Sequence, residues 1–237
     1  MSLPFLNDFL SPYGLNVSEK KAEAFNRYMA LLLVWSERMN LTAIREPRQI
    51  VIKHFFDSLT PALSPHFSPR GRLLDVGTGA GFPGVPLKIM FPSLELVLLD
   101  ATKKRLMFLE AVIDALHLHD VELVHARAED LAYDVRYREQ FDQVTARAVA
   151  SLPLLLEYTI PFVRIGGRAF LLKGPSVQTE FGDGQKIVSV LGAAFLSEER
   201  MFLPEEKAER RILWFSKQKM TPKRFPRKGL TKKGSSS

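Results

Sequence analysis

Four glycines fall within the ten residues Asp75-Val-Gly-Thr-Gly-Ala-Gly-Phe-Pro-Gly84, directly after the apolar pair Leu73-Leu74 and before an apolar, helix-like run that starts at Val85. Such a stretch between a strand-like and a helix-like segment demands a backbone that bends tightly and lets a ligand come close. Gly79, Gly81 and Gly84 spell G-x-G-x-x-G, and Asp100 follows about 20 residues on, where a ribose-binding carboxylate belongs. Any nucleoside cofactor poses this physical problem, so the match alone does not choose among them.

Beyond Arg72, short apolar runs alternate with helical patterns. The runs 73–76, 94–99, 121–124, 141–146, 168–172, 193–196 and 212–215 read as strands, with helices at about 84–91, 102–117, 151–163 and 176–191. Several runs lack in-and-out alternation, as expected of strands covered on both faces of a mostly parallel, doubly wound sheet. Residues 204–211 are too few for a crossover helix, so the last two strands should pair antiparallel. This is the pattern of the class I S-adenosylmethionine-dependent methyltransferases: α/β, Rossmann-like, seven strands, the last antiparallel.

The glycine stretch fits that cofactor better than a nicotinamide. In dehydrogenases the first fingerprint glycine follows the strand directly, whereas here Asp75-Val76-Gly77-Thr78 intervenes, and Pro83 turns the preceding residue away from helical geometry. The backbone at Gly77 and Gly79 is expected to pack on the amino acid part of the cofactor. Asp100 is expected to accept from both ribose hydroxyls, its alternative role being a helix N-cap.

Upstream, Ser18 caps an amphipathic helix over 19–39, a turn follows at Asn40, and a second helix spans about 47–59 before a linker at 64–71. Residues 1–70 thus form an N-terminal helical extension packed on a main domain of 71–217. Residues 218–237 are a basic tail. Eight Lys or Arg and no acid lie between Lys217 and Lys233, while residues 1–216 hold 25 bases against 26 acids. Such a tail suits a polyphosphate partner, with Lys219, Lys223, Arg224, Arg227 and Lys228 as RNA contacts; the alternative is a solvated end. With no cysteine, disulfides, thiolate metal sites and cysteine nucleophiles are excluded. Neither a signal peptide nor a span is apparent, and a cytoplasmic protein without membrane partners is expected.

Asn40-Leu41-Thr42, His54-Phe-Phe-Asp57-Ser58-Leu59, Asp75 to Gly84, Leu99-Asp100 with Lys104-Arg105 and Phe108-Leu109, Arg127-Ala128-Glu129, Arg147-Ala148 and Leu172-Lys173-Gly174 occur in order over roughly residues 25–228. Together they resemble the bacterial small-subunit ribosomal RNA methyltransferase G family, formerly called glucose-inhibited division protein B. The resemblance implies methylation of N7 of one guanine in 16S ribosomal RNA, S-adenosylmethionine as cofactor and the 30S subunit as partner. It also implies cofactor contacts at Gly77, Phe82, Ala128, Glu129 and Arg147. Phe82 would otherwise be a core ring, and Glu129 a solvated carboxylate at a helix start. A monomer is expected.

The residues themselves point the same way by elimination. Cytosine C5 methylation needs a cysteine. Exocyclic-amine methylation commonly uses Asn or Asp followed by two prolines at the fourth strand end, where this chain has Thr145-Ala146-Arg147-Ala148. Ribose methylation typically places an aspartate there, although Lys173 could supply a lysine of that set. A guanine N7 carries an unprotonated in-plane lone pair, so no general base is required. Arg147 and Lys173 are accordingly expected to position rather than to move protons. His54 and Asp57 share a helical face and either line the entrance, with His54 touching RNA, or tie the extension to the sheet. No metal is expected. Two rival readings are a noncatalytic ribosome-assembly factor and a NAD-dependent oxidoreductase.

Overall fold

The computed structural model describes residues 4–147, 150–206 and 208–227. The N-terminal part holds α1 (Pro4–Leu10) and α2 (Glu19–Ser36), the latter capped by Ser18, whose hydroxyl accepts from the Lys21 N–H. The expected helix at 47–59 is a composite. It runs as α3 (Pro47–Ile50), a π-helical stretch (Val51–Phe56) and α4 (Asp57–Leu59), then tightens into a 3-10 turn (Thr60–Leu63).

The sheet then forms from β1 (Gly71–Val76), β2 (Leu94–Asp100), β3 (Val121–His125), β4 (Phe141–Arg147), β5 (Val163–Lys173), β6 (Ala193–Phe202) and β7 (Glu209–Lys217). Helices α5 (Gly84–Met90), α6 (Lys103–Leu116), α7 (Ala128–Leu131), α8 (Leu152–Thr159) and α9 (Phe181–Val190) lie between strands. The strand order is β3-β2-β1-β4-β5-β7-β6. β1 pairs parallel with β2 and β4, and β7 runs antiparallel to both β5 and β6, as the short final link required. The expected helix at 176–191 is shorter at its start, where Pro175–Thr179 is a 3-10 turn. β5 begins five residues earlier than its apolar run: Val163 pairs with Phe141, a bulge with Gly166 at positive φ follows, and the register resumes at Arg168 opposite Gln143.

Alternate residues of the strands feed two cores. Leu73, Leu94, Leu96, Leu98, Phe170, Leu172, Ile212 and Trp214 pack with α2, α5, α6 and the 50–59 segment. Leu74, Val97, Leu99, Val144, Ala146, Ala169, Leu171, Leu213 and Phe215 pack under α8 and α9. Burial on both faces is why 96–99, 169–172 and 212–215 read as unbroken apolar runs. Each such buried Leu or Val contributes about 1.5–3 kcal/mol. The N-terminal helices share the first core, so they are part of one face of the sheet rather than a detached appendage. Among the described residues no helix is long and apolar enough to cross a membrane.

Candidate active site at the strand ends

The glycine bend sits at the carboxyl end of β1, in the crevice where strand order reverses between β1 and β4. Ligands bind at such a switch point in open α/β sheets. Gly77, Gly79 and Gly81 all take positive φ, of 68°, 62° and 96°. The bend is stitched to β2: Gly77 and Thr78 N–H groups donate to the Leu99 carbonyl at 2.8 and 3.0 Å, and the Gly79 N–H donates to Asp100 Oδ2 at 2.9 Å. A Cβ on Gly79 would meet nothing nearer than 4.0 Å, so the space over the bend is open. Gly81 is different. A Cβ there would lie 2.7 Å from the Tyr28 hydroxyl and 2.8 Å from Val85.

Two carboxylates underlie the bend. Asp75 is fully buried, and its Oδ2 accepts from the Thr78 hydroxyl at 2.7 Å and the Gly84 N–H at 2.9 Å. Its Oδ1 has no partner, and neither has Thr145 Oγ1 on the register-paired residue of β4. Burial raises the Asp75 carboxyl to about 6. A buried, unsatisfied acceptor is costly unless a ligand completes it. Asp100 accepts from Gly79 N–H, from the Thr102 N–H at 2.8 Å and from Arg105 Nη1 at 3.3 Å. It therefore ties the bend to the start of α6 through the Thr102 backbone, while Thr102 rather than Asp100 is the N-cap. An orphaned acid oxygen in an open glycine cradle, beside a second acid at the end of β2, fits a cofactor that carries both an ammonium and a ribose.

The rim is aromatic and cationic. Phe82 is 6% exposed and stacks on His54 at 4.7 Å and 18°, while the Arg147 guanidinium lies 4.9 Å from its centroid. Phe82 is therefore packed in the core, the alternative weighed for it, with its ring beside the glycine bend. Arg147, closing β4, donates to Asp57 Oδ2 at 3.0 Å and to the Lys53 carbonyl at 3.4 Å, and Arg210 of β7 donates to Asp57 Oδ1 at 3.1 Å. Asp57 thus bridges two strands to the helical segment, the tying role weighed for it. His54 does not reach outward. Its Nε2 lies 2.7 Å from the Thr42 hydroxyl, and burial together with the Arg147 charge lowers its pKa to about 4, leaving a neutral ring.

Lys173 closes β5 and is neither a free cleft amine nor a solvated one: Nζ donates to the Ala150 carbonyl at 2.9 Å and pairs with Glu180 at 3.0 Å. Ala128 and Glu129 open α7 beyond β3; Glu129 is buried rather than solvated, and Arg127 Nη1 is 3.1 Å from its Oε1. The tail residues named as RNA contacts lie away from the glycine bend. Lys217 is opposite Ala193, and Ser216 is opposite Arg168, so residues 218–227 leave the sheet at the end remote from the glycine bend. There Phe225 is buried, Arg227 pairs with the buried Glu157, and Lys219, Lys223 and Arg224 are exposed. Lys228 lies outside the described residues, as does Ala148.

Tyr28, Arg210 and Thr42 went unassigned in the sequence. The Tyr28 hydroxyl donates to the Ala80 carbonyl inside the bend, and its ring lies 5.5 Å from those of Phe55 and Phe82. The helical period of α2 marked it as a core residue, and nothing local marked its long-range partner.

The family described as rRNA small subunit methyltransferase G matches residues 21–210. A ribosomal RNA small subunit methyltransferase G of Lactobacillus acidophilus is 46% identical over 94% of this chain and 93% of its own length. Its namesake in Alkaliphilus metalliredigens is 42% identical over 94% and 93%. Among solved structures, the chain is similar to M. jannaschii TYW2 in complex with AdoMet, with a TM-score of 0.55 at 13% identity, covering 74% of this chain and 79% of that one. The YcgJ protein of Bacillus subtilis gives 0.54 at 13% identity, covering 70% and 100%. These structural likenesses show a shared fold, and the oxidoreductase reading of the glycine fingerprint falls with them and with the family match.

Proposed function

Because the chain belongs to the rRNA small subunit methyltransferase G family, we propose that it methylates N7 of a single guanine in 16S ribosomal RNA, using S-adenosylmethionine. The proposed setting is cytoplasmic, with a monomeric enzyme acting on RNA of the 30S subunit. The cofactor, when bound, supplies a methyl group on a positively charged sulfur. Gly77 and Gly79 let the backbone approach it, Asp75 Oδ1 takes its ammonium, and Asp100 accepts from the ribose. Ala128 and Glu129 flank the adenine, and Phe82 offers an apolar face to the site.

One observation supports the choice of acceptor atom: among the described residues, Asp75 is fully buried beneath the bend and the other titratable side chains considered at the strand ends are engaged. His54 has its pKa lowered to about 4 and shares Nε2 with Thr42, Asp57 is held between two guanidinium groups, and Lys173 is paired with Glu180. An exocyclic amine or a ribose hydroxyl would need a general base, and guanine N7 does not. Catalysis is then positioning, in which an encounter between two molecules becomes a local step. Arg147 would hold the cofactor carboxylate or the guanine O6, away from the charge developing at N7. Lys173 fixes the end of β5 through Ala150 and Glu180, and so acts on position only.

The test is incubation of the purified chain with 30S particles or 16S ribosomal RNA and methyl-labelled cofactor, followed by mass mapping of nucleosides. One 7-methylguanosine at one site is the expected product. Labelled ribose, cytosine or exocyclic amine would overturn the assignment, and absence of turnover would favour a noncatalytic assembly factor.

A further inference from the structure

RNA must be gripped near the bend if one of its bases is to enter there, yet most cations at this end of the sheet are already engaged. Arg147 and Arg210 hold Asp57, Lys53 holds Glu206, Arg48 holds Glu205 and Lys173 holds Glu180. Two cations that line one groove at the start of α6 are not. Arg38 and Lys104 are exposed, and among the described residues neither side chain meets a carboxylate or a carbonyl.

Both line one groove of about 270 Å³ between the segment after α2 and the start of α6, with Met39, Asn40, Leu41, Thr102 and Arg105 completing its walls. Arg105 keeps one nitrogen 3.3 Å from Asp100 while its side chain stays 45% exposed. Three cations therefore line the groove, and none of its lining residues is an acid. Their placement is not explained by helix stability. The first turn of α6 reads Lys103-Lys104-Arg105 with no acid, the reverse of what a helix dipole favours.

We propose that this groove binds the phosphodiester backbone of the RNA beside the target guanosine, with Arg38 and Lys104 as direct phosphate contacts. Arg105 divides its fork between Asp100 and a phosphate, linking RNA engagement to the carboxylate that holds the cofactor ribose. The proposal rests on the methyltransferase reading, since it is that reading which places the ribose at Asp100.

The experiment measures affinity for a 16S ribosomal RNA fragment spanning the target across a potassium chloride series, for the wild type and for the double variant Arg38→Ala, Lys104→Ala. Each lost phosphate contact should lower the slope of log affinity against log salt by about 0.7–0.9, so the double variant should lose about 1.4–1.8. Calorimetric affinity for S-adenosylmethionine should be unchanged. Lys104→Arg should keep the wild-type slope and Lys104→Gln should not. An unchanged slope in the double variant, or full retention by Lys104→Gln, overturns the proposal. So does inorganic phosphate that displaces the RNA fragment at constant ionic strength, which would assign the groove to a free anion. A wild type that binds RNA with the expected slope but transfers no methyl group would instead remove the catalytic reading and leave the groove assignment standing.

Discussion

The two ends of the sheet use buried charge in opposite ways. At the tail end, Lys217 Nζ reaches Glu139, the Ile160 carbonyl and Thr221, and Arg138 donates to the carbonyls of Ala132, Phe225, Thr221 and Pro222. Glu157, fully buried, receives both the backbone N–H and the side chain of Arg227 at 3.0 Å. These ions are saturated from within the chain, which is what a structural anchor requires. At the glycine end, Asp75 Oδ1, Thr145 Oγ1 and His54 Nδ1 are buried with no partner. At the glycine end the incomplete atoms gather around an open bend, whereas the buried ions at the tail end are completed by the chain itself.

The sharpest way to break this comparison uses one substitution at each end. Gly81→Ala puts a Cβ 2.7 Å from Tyr28 Oη at a φ of 96°, and Gly192→Ala puts one 2.4 Å from the Lys219 carbonyl at a φ of 82°. Strain and overpacking together should cost each variant about 3–5 kcal/mol in unfolding free energy by denaturant titration. Only Gly81→Ala should also lose S-adenosylmethionine binding, because only there does the collision displace the bend. Gly174→Ala, with open space and ordinary φ, is the control and should change little.

The next effect is one of pH. His54 falls from 6.5 to about 4 on folding because its charged form is desolvated and faces Arg147. A depressed imidazole stabilises the fold above the unfolded pKa, and that contribution is lost as pH falls from 6.5 toward 4. A shift of this size corresponds to about 3 kcal/mol. His54→Phe keeps a ring against Phe82 and removes the titration. The difference in unfolding free energy between wild type and variant should therefore shrink by about that amount between pH 7 and pH 4. A constant difference would mean that the ring is not held neutral at the site.

Asp75 and Arg147 sharpen the comparison on the catalytic side. Asp75 titrates near 6 in the folded chain, so its carboxylate is present above that pH and progressively protonated below it. Calorimetric affinity for S-adenosylmethionine should fall up to about tenfold per pH unit below 6 in the wild type, and Asp75→Asn should flatten the profile. Arg147→Ala should lower kcat/KM for methyl transfer about 100-fold, some 2.7 kcal/mol. Normal cofactor binding with a wild-type rate in that variant would remove Arg147 from the site.

Most of the sheet was readable because its signals are local. Unbroken apolar runs at 96–99 in β2, 169–172 in β5 and 212–215 in β7 announce strands covered twice, and the short link at 204–211 announces an antiparallel partner. Glycine clustering placed the bend for the same reason: positive φ at 77, 79 and 81 is a property of those residues themselves. What escaped depends on contacts across the chain. Asp57 meets Arg147 and Arg210 over separations of 90 and 153 residues, and Tyr28 meets Ala80 across 52. No pattern within a window records such pairings. The π-helical turn at Val51–Phe56 was hidden as well, because its residues are as compatible with an α-helix. The place of the tail was hidden for a further reason: charge composition gives a residue's affinity for phosphate but not the end of the molecule at which it emerges.

That last point yields the smallest expected effect. If Lys219, Lys223 and Arg224 gripped RNA next to the transferred methyl group, replacing all three with alanine would cost as much salt-dependent affinity as the Arg38 and Lys104 pair despite their distance from the bend. With the tail seated at the remote end, the triple variant should weaken binding of the short target fragment less than about threefold and lower the salt slope by under about 0.7, less than one full contact. Glu157→Gln supplies the complementary arm. It removes the charge opposite Arg227, which is 56% exposed and can rehydrate, so a loss of about 1–2 kcal/mol in stability is expected with cofactor affinity unchanged. A triple variant whose slope fell by two or more contacts on the short fragment would show that RNA wraps from one end of the sheet to the other, and the two ends would then have to be treated as one binding surface.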